Sequence, residues 1–158
     1  MNQANVPRTL SGARQLFLEK AYPEALELCD SLLARNGPQA DLHTLKALIY
    51  QQSGDLEQAG NSMGQALTHN PTHAGMLYTA ALINRKLKNF DQAKKQAMKA
   101  TREDPDNPQI ICQCALIVGS VGEPQYALQI VEKFTQKNHY AFFDILPRTF
   151  SAWFFVIC

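Results

Sequence analysis

The sequence predicts an all-α chain, a solenoid of four helix-turn-helix pairs followed by a short apolar segment, and three observations predict it. Alanine recurs at Ala25, Ala59, Ala93 and Ala127, and again at Ala13, Ala47, Ala81 and Ala115, each 34 residues after the last. A fixed period in the twenties to forties marks stacked supersecondary units, each too small to bury its own apolar face. Segments such as LHTLKALIYQQ and GMLYTAALINRKLK carry apolar residues three and four apart, the spacing of one buried helical stripe; strands would need alternation. The strings AYPEA, GDLEQA, NFDQA and GEPQYA each read as a turn, then an aromatic, leucine or proline, then polar residues, then alanine.

The elements follow in order. Four pairs are expected over about 6–39, 40–73, 74–107 and 108–141, with residues 6–139 carrying the pattern in unbroken register. Alanines at the two recurring positions let paired helix backbones approach closely, and a bulky side chain there would overpack the contact. Asp55 and Asn89 stand where a side-chain oxygen can take orphan amides at a helix start, with Gln58 and Gln92 three residues later to reach back. Pro124 opens the last second helix, a position that tolerates the missing amide. Beyond His139 the chain reads YAFFDILPRTFSAWFFVIC. Residues 142–158 fit no repeat, and Asp144, Pro147 and Arg148 leave them short of the roughly 20 apolar residues a membrane span needs. They are read as a helix from Pro147 capping the last repeat, as a contact surface, or as the start of a truncated continuation.

This pattern resembles the tetratricopeptide repeat. The family's turn glycine matches Gly54 and Gly122, with Ala21 and Lys88 near the other turns, and its closing proline matches Pro71 and Pro105, with Pro38 one residue late and His139 in the last place. The aromatic residue usual near the start of the first helix is replaced by Thr9, His43, Leu77 and Ile111. The resemblance implies a right-handed superhelix whose concave side, lined by the first helices, holds a protein or peptide.

Composition narrows the chemistry. The net charge is +1, with basic residues spread along the chain, which argues against nucleic acid as the partner; KKQAMKATRED reads as a solvated helix face. The first ten residues lack the charged-then-apolar pattern of a secretory signal, so a cytoplasmic protein is expected. Cys29, Cys112, Cys114 and Cys158 form no disulfide or zinc framework. His69 and His73 are four apart, but Pro71 breaks any helix between them, so they are not expected to share a metal. No glycine-rich phosphate loop and no nucleophile with a base and an orienting acid can be found. No cofactor and no catalytic activity are expected.

Carried onto this register, the family's binding groove would be lined by Arg14 and Phe17, by Thr44, Leu48, Gln51 and Gln52, by Tyr78, Leu82, Arg85 and Lys86, and by Cys112, Gln113 and Leu116. The mixture suits a peptide or helix held by leucine and aromatic contacts, with an acidic group facing Arg85 and Lys86. The clamp that some family members use for acidic chaperone tails is not matched, since Leu10, Arg14, Leu45, Gly75 and Thr79 stand at its positions. The first expectation is therefore an adaptor or scaffold. The alternative is the N-terminal recruiting region of a larger bacterial enzyme, such as a sulfotransferase, hydroxylase or glycosyltransferase.

Overall fold

The computed structural model describes residues 8–138. Eight α-helices fill them: α1 Leu10–Leu18, α2 Tyr22–Asn36, α3 Ala40–Ser53, α4 Leu56–His69, α5 Ala74–Lys86, α6 Phe90–Glu103, α7 Pro108–Ser120 and α8 Pro124–Asn138. The repeat start expected at Val6, its end at His139, and the tail at 142–158 with its expected capping helix lie outside the described residues. The chain divides into two compact units, Met1–Pro71 and Thr72–Cys158. In the first, α1 packs on α2 and α3 on α4, while α3 also meets α2 and α1. In the second, α5 packs on α6 and α7 on α8, and α7 likewise meets α6 and α5.

Both alanine series are buried. Ala13, Ala25, Ala47, Ala59, Ala81, Ala93 and Ala115 are 0% exposed and Ala127 is 1% exposed. Larger side chains beside them supply the apolar area: Leu16, Leu32, Leu42, Leu45 and Ile49 in the first unit, and Met76, Leu77, Ile83, Ile117, Val118, Val131 and Phe134 in the second. The extreme case is α6, whose buried face is Ala93, Ala97 and Ala100 alone.

The turns inside the hairpins repeat as strictly. Lys20, Gly54, Lys88 and Gly122, spaced 34 apart, all have positive φ, at 60°, 91°, 63° and 97°. In the first hairpin the left-handed residue is thus Lys20, not Ala21, whose φ is −79°. Lysine tolerates the position at a steric cost that glycine avoids.

Asp55 caps α4 as expected, its Oδ1 accepting from the Gln58 amide at 3.1 Å. Asn89 does not cap α6 through its side chain. Its Nδ2 instead donates to Asn84 Oδ1 at 3.3 Å, which turns the side chain back toward the preceding helix. Three further caps close other helices: Thr9 on α1, His73 on α5 and Asn107 on α7. His73 uses its ring, Nδ1 accepting from the Met76 amide at 3.3 Å. His69 stacks on His43 across the α3/α4 hairpin, ring centroids 6.1 Å apart and 11° from parallel. Nδ1 of His43 is buried without a hydrogen-bond partner. Burial first, then Lys46 and His69, hold the His43 pKa below its usual 6.5, and Asp30 opposes them weakly.

Ala81→Trp overfills the α5/α6 contact and should cost about 1–3 kcal/mol, read as a lower melting temperature; an unchanged melt contradicts the packing. Gly54→Ala should destabilise by about 1 kcal/mol through its left-handed backbone alone, because an added Cβ there meets nothing within 4 Å. Gly64→Ala, equally unobstructed but inside α4, should stabilise by about 0.5–1 kcal/mol, and urea titration of both variants should show opposite signs. Because the folded chain holds His43 neutral while the unfolded chain takes up a proton near pH 6.5, stability is greatest above that pH and falls as acid drives protonation through the lowered folded pKa. Thermal melts from about pH 8 to about pH 5 should show a smaller acid loss in His43→Gln; an identical pH dependence would contradict the assignment.

Candidate functional site

Seven side chains of the second unit surround a cavity of about 300 Å³: Tyr78, Leu82 and Arg85 from α5, and Gln113, Leu116, Ile117 and Ser120 from α7. Steps of three and four residues keep each set on one helical face. Two long hydrogen bonds span the groove: Tyr78 Oη to Gln113 Oε1 at 3.5 Å, and Arg85 Nη1 to Ser120 Oγ at 3.3 Å. Both join residues 35 apart, so α5 and α7 run parallel, and the two turns of helix between the bonds set the polar ends about 10 Å apart. Leu82, Leu116 and Ile117 complete the lining with apolar surface.

The electrostatics are one-sided. Arg85 forms no ion pair among the described residues, and its bond to Ser120 leaves the other guanidinium donors for a planar acceptor. Ser120 is itself held in place, its Oγ donating to the Ile117 carbonyl at 2.8 Å. Burial raises the Tyr78 pKa, with Cys114 adding to the rise and Arg85 opposing it, so the phenol remains a neutral donor. Bonds of 3.3–3.5 Å are near the limit of useful geometry. Both can be exchanged for stronger ones to a ligand.

Of the residues expected to line a groove, five meet here: Tyr78, Leu82, Arg85, Gln113 and Leu116. Lys86 is exposed on the same helix but does not line the cavity. Cys112 does not belong to the surface. It is 5% exposed, and burial pushes its thiol to about 11, because its place on α7 turns toward the core. The family register does not single out Ile117 and Ser120, although continuing the three-and-four step from Gln113 reaches both. In the first unit, Arg14 and Gln52 are exposed, while Phe17, Thr44, Leu48 and Gln51 are half-buried. Two of these have internal roles: Phe17 meets Tyr22 at 6.1 Å between ring centroids, and the Thr44 hydroxyl donates to the Ala40 carbonyl at 2.8 Å.

Cys29 and Cys114 are fully buried, with thiols raised by burial to about 11 and about 12, so they stay protonated near neutrality. Among the described residues no three His, Cys, Asp or Glu side chains gather as a metal would require. No described helix is long and apolar enough to cross a membrane.

Residues 19–98 match the family model described as anaphase-promoting complex, cyclosome, subunit 3. Several solved structures share the fold. A crystal structure of MamA protein is 14% identical, aligned over 84% of this chain and 75% of that chain with a TM-score of 0.70. TTC0263, a thermophilic tetratricopeptide protein of Thermus thermophilus, is 22% identical over 86% and 75%, with a TM-score of 0.66. A structure of Naa15/Naa10 bound to HypK-THB is 23% identical over 81% of this chain and 20% of that chain, with a TM-score of 0.66. No match is found among curated proteins.

Proposed function

The chain belongs to the tetratricopeptide-type family described as anaphase-promoting complex, cyclosome, subunit 3, and from that premise we propose that it is an adaptor whose second unit holds a partner peptide or helix between α5 and α7. The fold is suited to protein–protein interaction; the partner and the groove are the proposed steps. A single observation carries them: an Arg85 guanidinium that forms no ion pair among the described residues, beside apolar Leu82, Leu116 and Ile117, in a cavity spanned by two long hydrogen bonds.

The partner's chemistry follows from that lining. An apolar side chain would fill the slot, and a carboxylate one or two residues away would take the free donors of Arg85, with exposed Lys86 adding attraction from outside. Tyr78 and Gln113 would serve the backbone of the bound segment. The acidic chaperone-tail clamp is not the mode, since Leu45 and Gly75 stand at two of its positions. A site in the reducing cytoplasm agrees with the free thiols of Cys29 and Cys114.

Affinity capture by the full chain, with the partner then purified, tests the reading. Arg85→Glu combined with Lys86→Glu should weaken that partner about tenfold or more, equivalent to about 1.4 kcal/mol, with an unchanged thermal melt. Equal binding by the reversed variant would overturn the groove.

A further inference from the structure

A cleft of about 540 Å³ lies between α6 and α8 of the second unit, a size at which protein hollows take ligand groups. Both helices pack on α7, and Ile111 of α7 lines the cleft with Met98 from α6 and Ile130 and Phe134 from α8. Ile111 is two residues from Gln113, so α7 turns one face to this cleft and another to the groove it shares with α5. We infer that the cleft is a second protein-docking site, taking an acidic segment of another protein whose bulky apolar side chain enters between α6 and α8. The inference goes beyond the groove reading and does not depend on it.

Helical spacing builds the apolar side of the match. Tyr126, Ile130, Lys133 and Lys137 follow at steps of three and four on α8, as do Met98 and Arg102 on α6, so each helix turns one continuous stripe to the cleft. Phe134 and Ile111, 3% and 4% exposed, form its floor, while Tyr126, at 38%, stands at its edge with the ring accessible. Tyrosine and arginine around an apolar floor are the residue types that carry most of the energy at protein interfaces. The stripe on α8 runs about 16 Å from Tyr126 to Lys137 at 1.5 Å per residue. That is room for about five residues of an extended segment at roughly 3.3 Å each.

Charge selects the occupant. Arg102, Lys133 and Lys137 line the cleft, and among the described residues no acidic side chain does. Lys137 is committed to Asp106, whereas Arg102 and Lys133 form no ion pair among the described residues. One stands on each wall, so carboxylates on either side of the inserted apolar group would each meet a cation. Arg102 is steadied at the rim, its Nε donating to the Met98 carbonyl at 3.2 Å, which leaves its terminal nitrogens for a carboxylate. Two such cations over an apolar floor suit an acidic peptide better than a nucleic acid, whose affinity is built from many phosphate contacts. A unit with this cleft on one face of α7 and a groove on another can hold two partners together, as a scaffold must.

A phage-displayed library of random peptides, selected on the full chain, tests the inference without the natural partner in hand. Selection should enrich peptides that carry leucine, phenylalanine or tryptophan between aspartates or glutamates. Once synthesised, these should bind the Arg102→Glu, Lys133→Glu double variant about tenfold or more weakly than the parent, and bind the Arg85→Glu, Lys86→Glu double variant as the parent does. Weakening by the second pair of substitutions and not the first assigns the peptides to the groove between α5 and α7 and overturns the cleft, so the two readings fail separately. Enrichment of no acidic peptide, unweakened binding to the Arg102→Glu, Lys133→Glu variant, or tighter binding of oligouridine than of any peptide overturns it as well. Self-association that Tyr126→Glu abolishes assigns the cleft to a second copy and is equally fatal. Arg102 and Lys133 are exposed, so circular dichroism of their double variant should match the parent. Should it not, p-benzoylphenylalanine in place of Tyr126 decides the matter: irradiation should cross-link the enriched peptide to the chain, and failure to cross-link refutes the docking.

Discussion

The close approach of paired helices at buried alanines is the contact on which everything else in this chain depends. A methyl group at eight positions, none more than 1% exposed, leaves no bulky side chain at those sites to hold the paired helices apart. The apolar area then comes from neighbouring large residues such as Leu42, Ile49, Met63, Ile83 and Val131, which fill the spaces beside the contact. In α6 the division of labour is complete. With three alanines as its buried face, that helix adds shape rather than apolar area, and its stability rests on the helices it packs against, α5 and α7. Its outer face is therefore free to carry Lys94, Lys95, Lys99 and Arg102.

Strict repetition of that contact also makes the groove. Hairpins of equal length return successive first helices in the same direction, so α5 and α7 lie parallel and residues 35 apart face each other. Parallel helices keep one pitch, and a face that steps by three and four residues on one meets a face stepping likewise on the other. An elongated slot with polar groups at both ends is the result. Recognition in such a slot needs no irregular loop. It needs only that the side chains on two regular faces be chosen.

Much of this is legible without coordinates, and what is not has a physical cause in each case. The alanine interval, the cap at Asp55 and the proline opening α8 are local signals that the sequence displays openly. At the first turn the sequence reading reaches Ala21 as a residue near the turn and does not single out Lys20, because only glycine advertises a left-handed position. Asn89 does not cap α6; its side chain is turned back to Asn84, five residues earlier, to which its Nδ2 donates. Cys112 reads as a groove residue because a family register resolves a helix face only coarsely, and small apolar residues suit core and surface alike. The His43–His69 stack joins residues from two helices, and nothing in either local sequence announces it.

Charge adds a constraint that the whole-chain balance of +1 conceals. Through Pro71 the basic residues are Arg8, Arg14, Lys20, Arg35 and Lys46, outnumbered by Glu19, Glu24, Glu27, Asp30, Asp41, Asp55 and Glu57. From Thr72 to Asn138 the order reverses, with Arg85, Lys86, Lys88, Lys94, Lys95, Lys99, Arg102, Lys133 and Lys137 exceeding Asp91, Glu103, Asp104, Asp106, Glu123 and Glu132. Among the described residues, ion pairs absorb part of the excess, Lys94 with Glu123 and Lys137 with Asp106, but not Arg85, Arg102 or Lys133. Exposed pairs of this kind add little stability, so the surplus is better understood through encounter than through folding. An acidic segment approaching the second unit meets an attractive field within a Debye length of about 8 Å at physiological salt, while the first unit offers it none. The cavity between α5 and α7, where we propose that a partner's carboxylate binds, thus lies in the half of the chain that has the charge to draw one in.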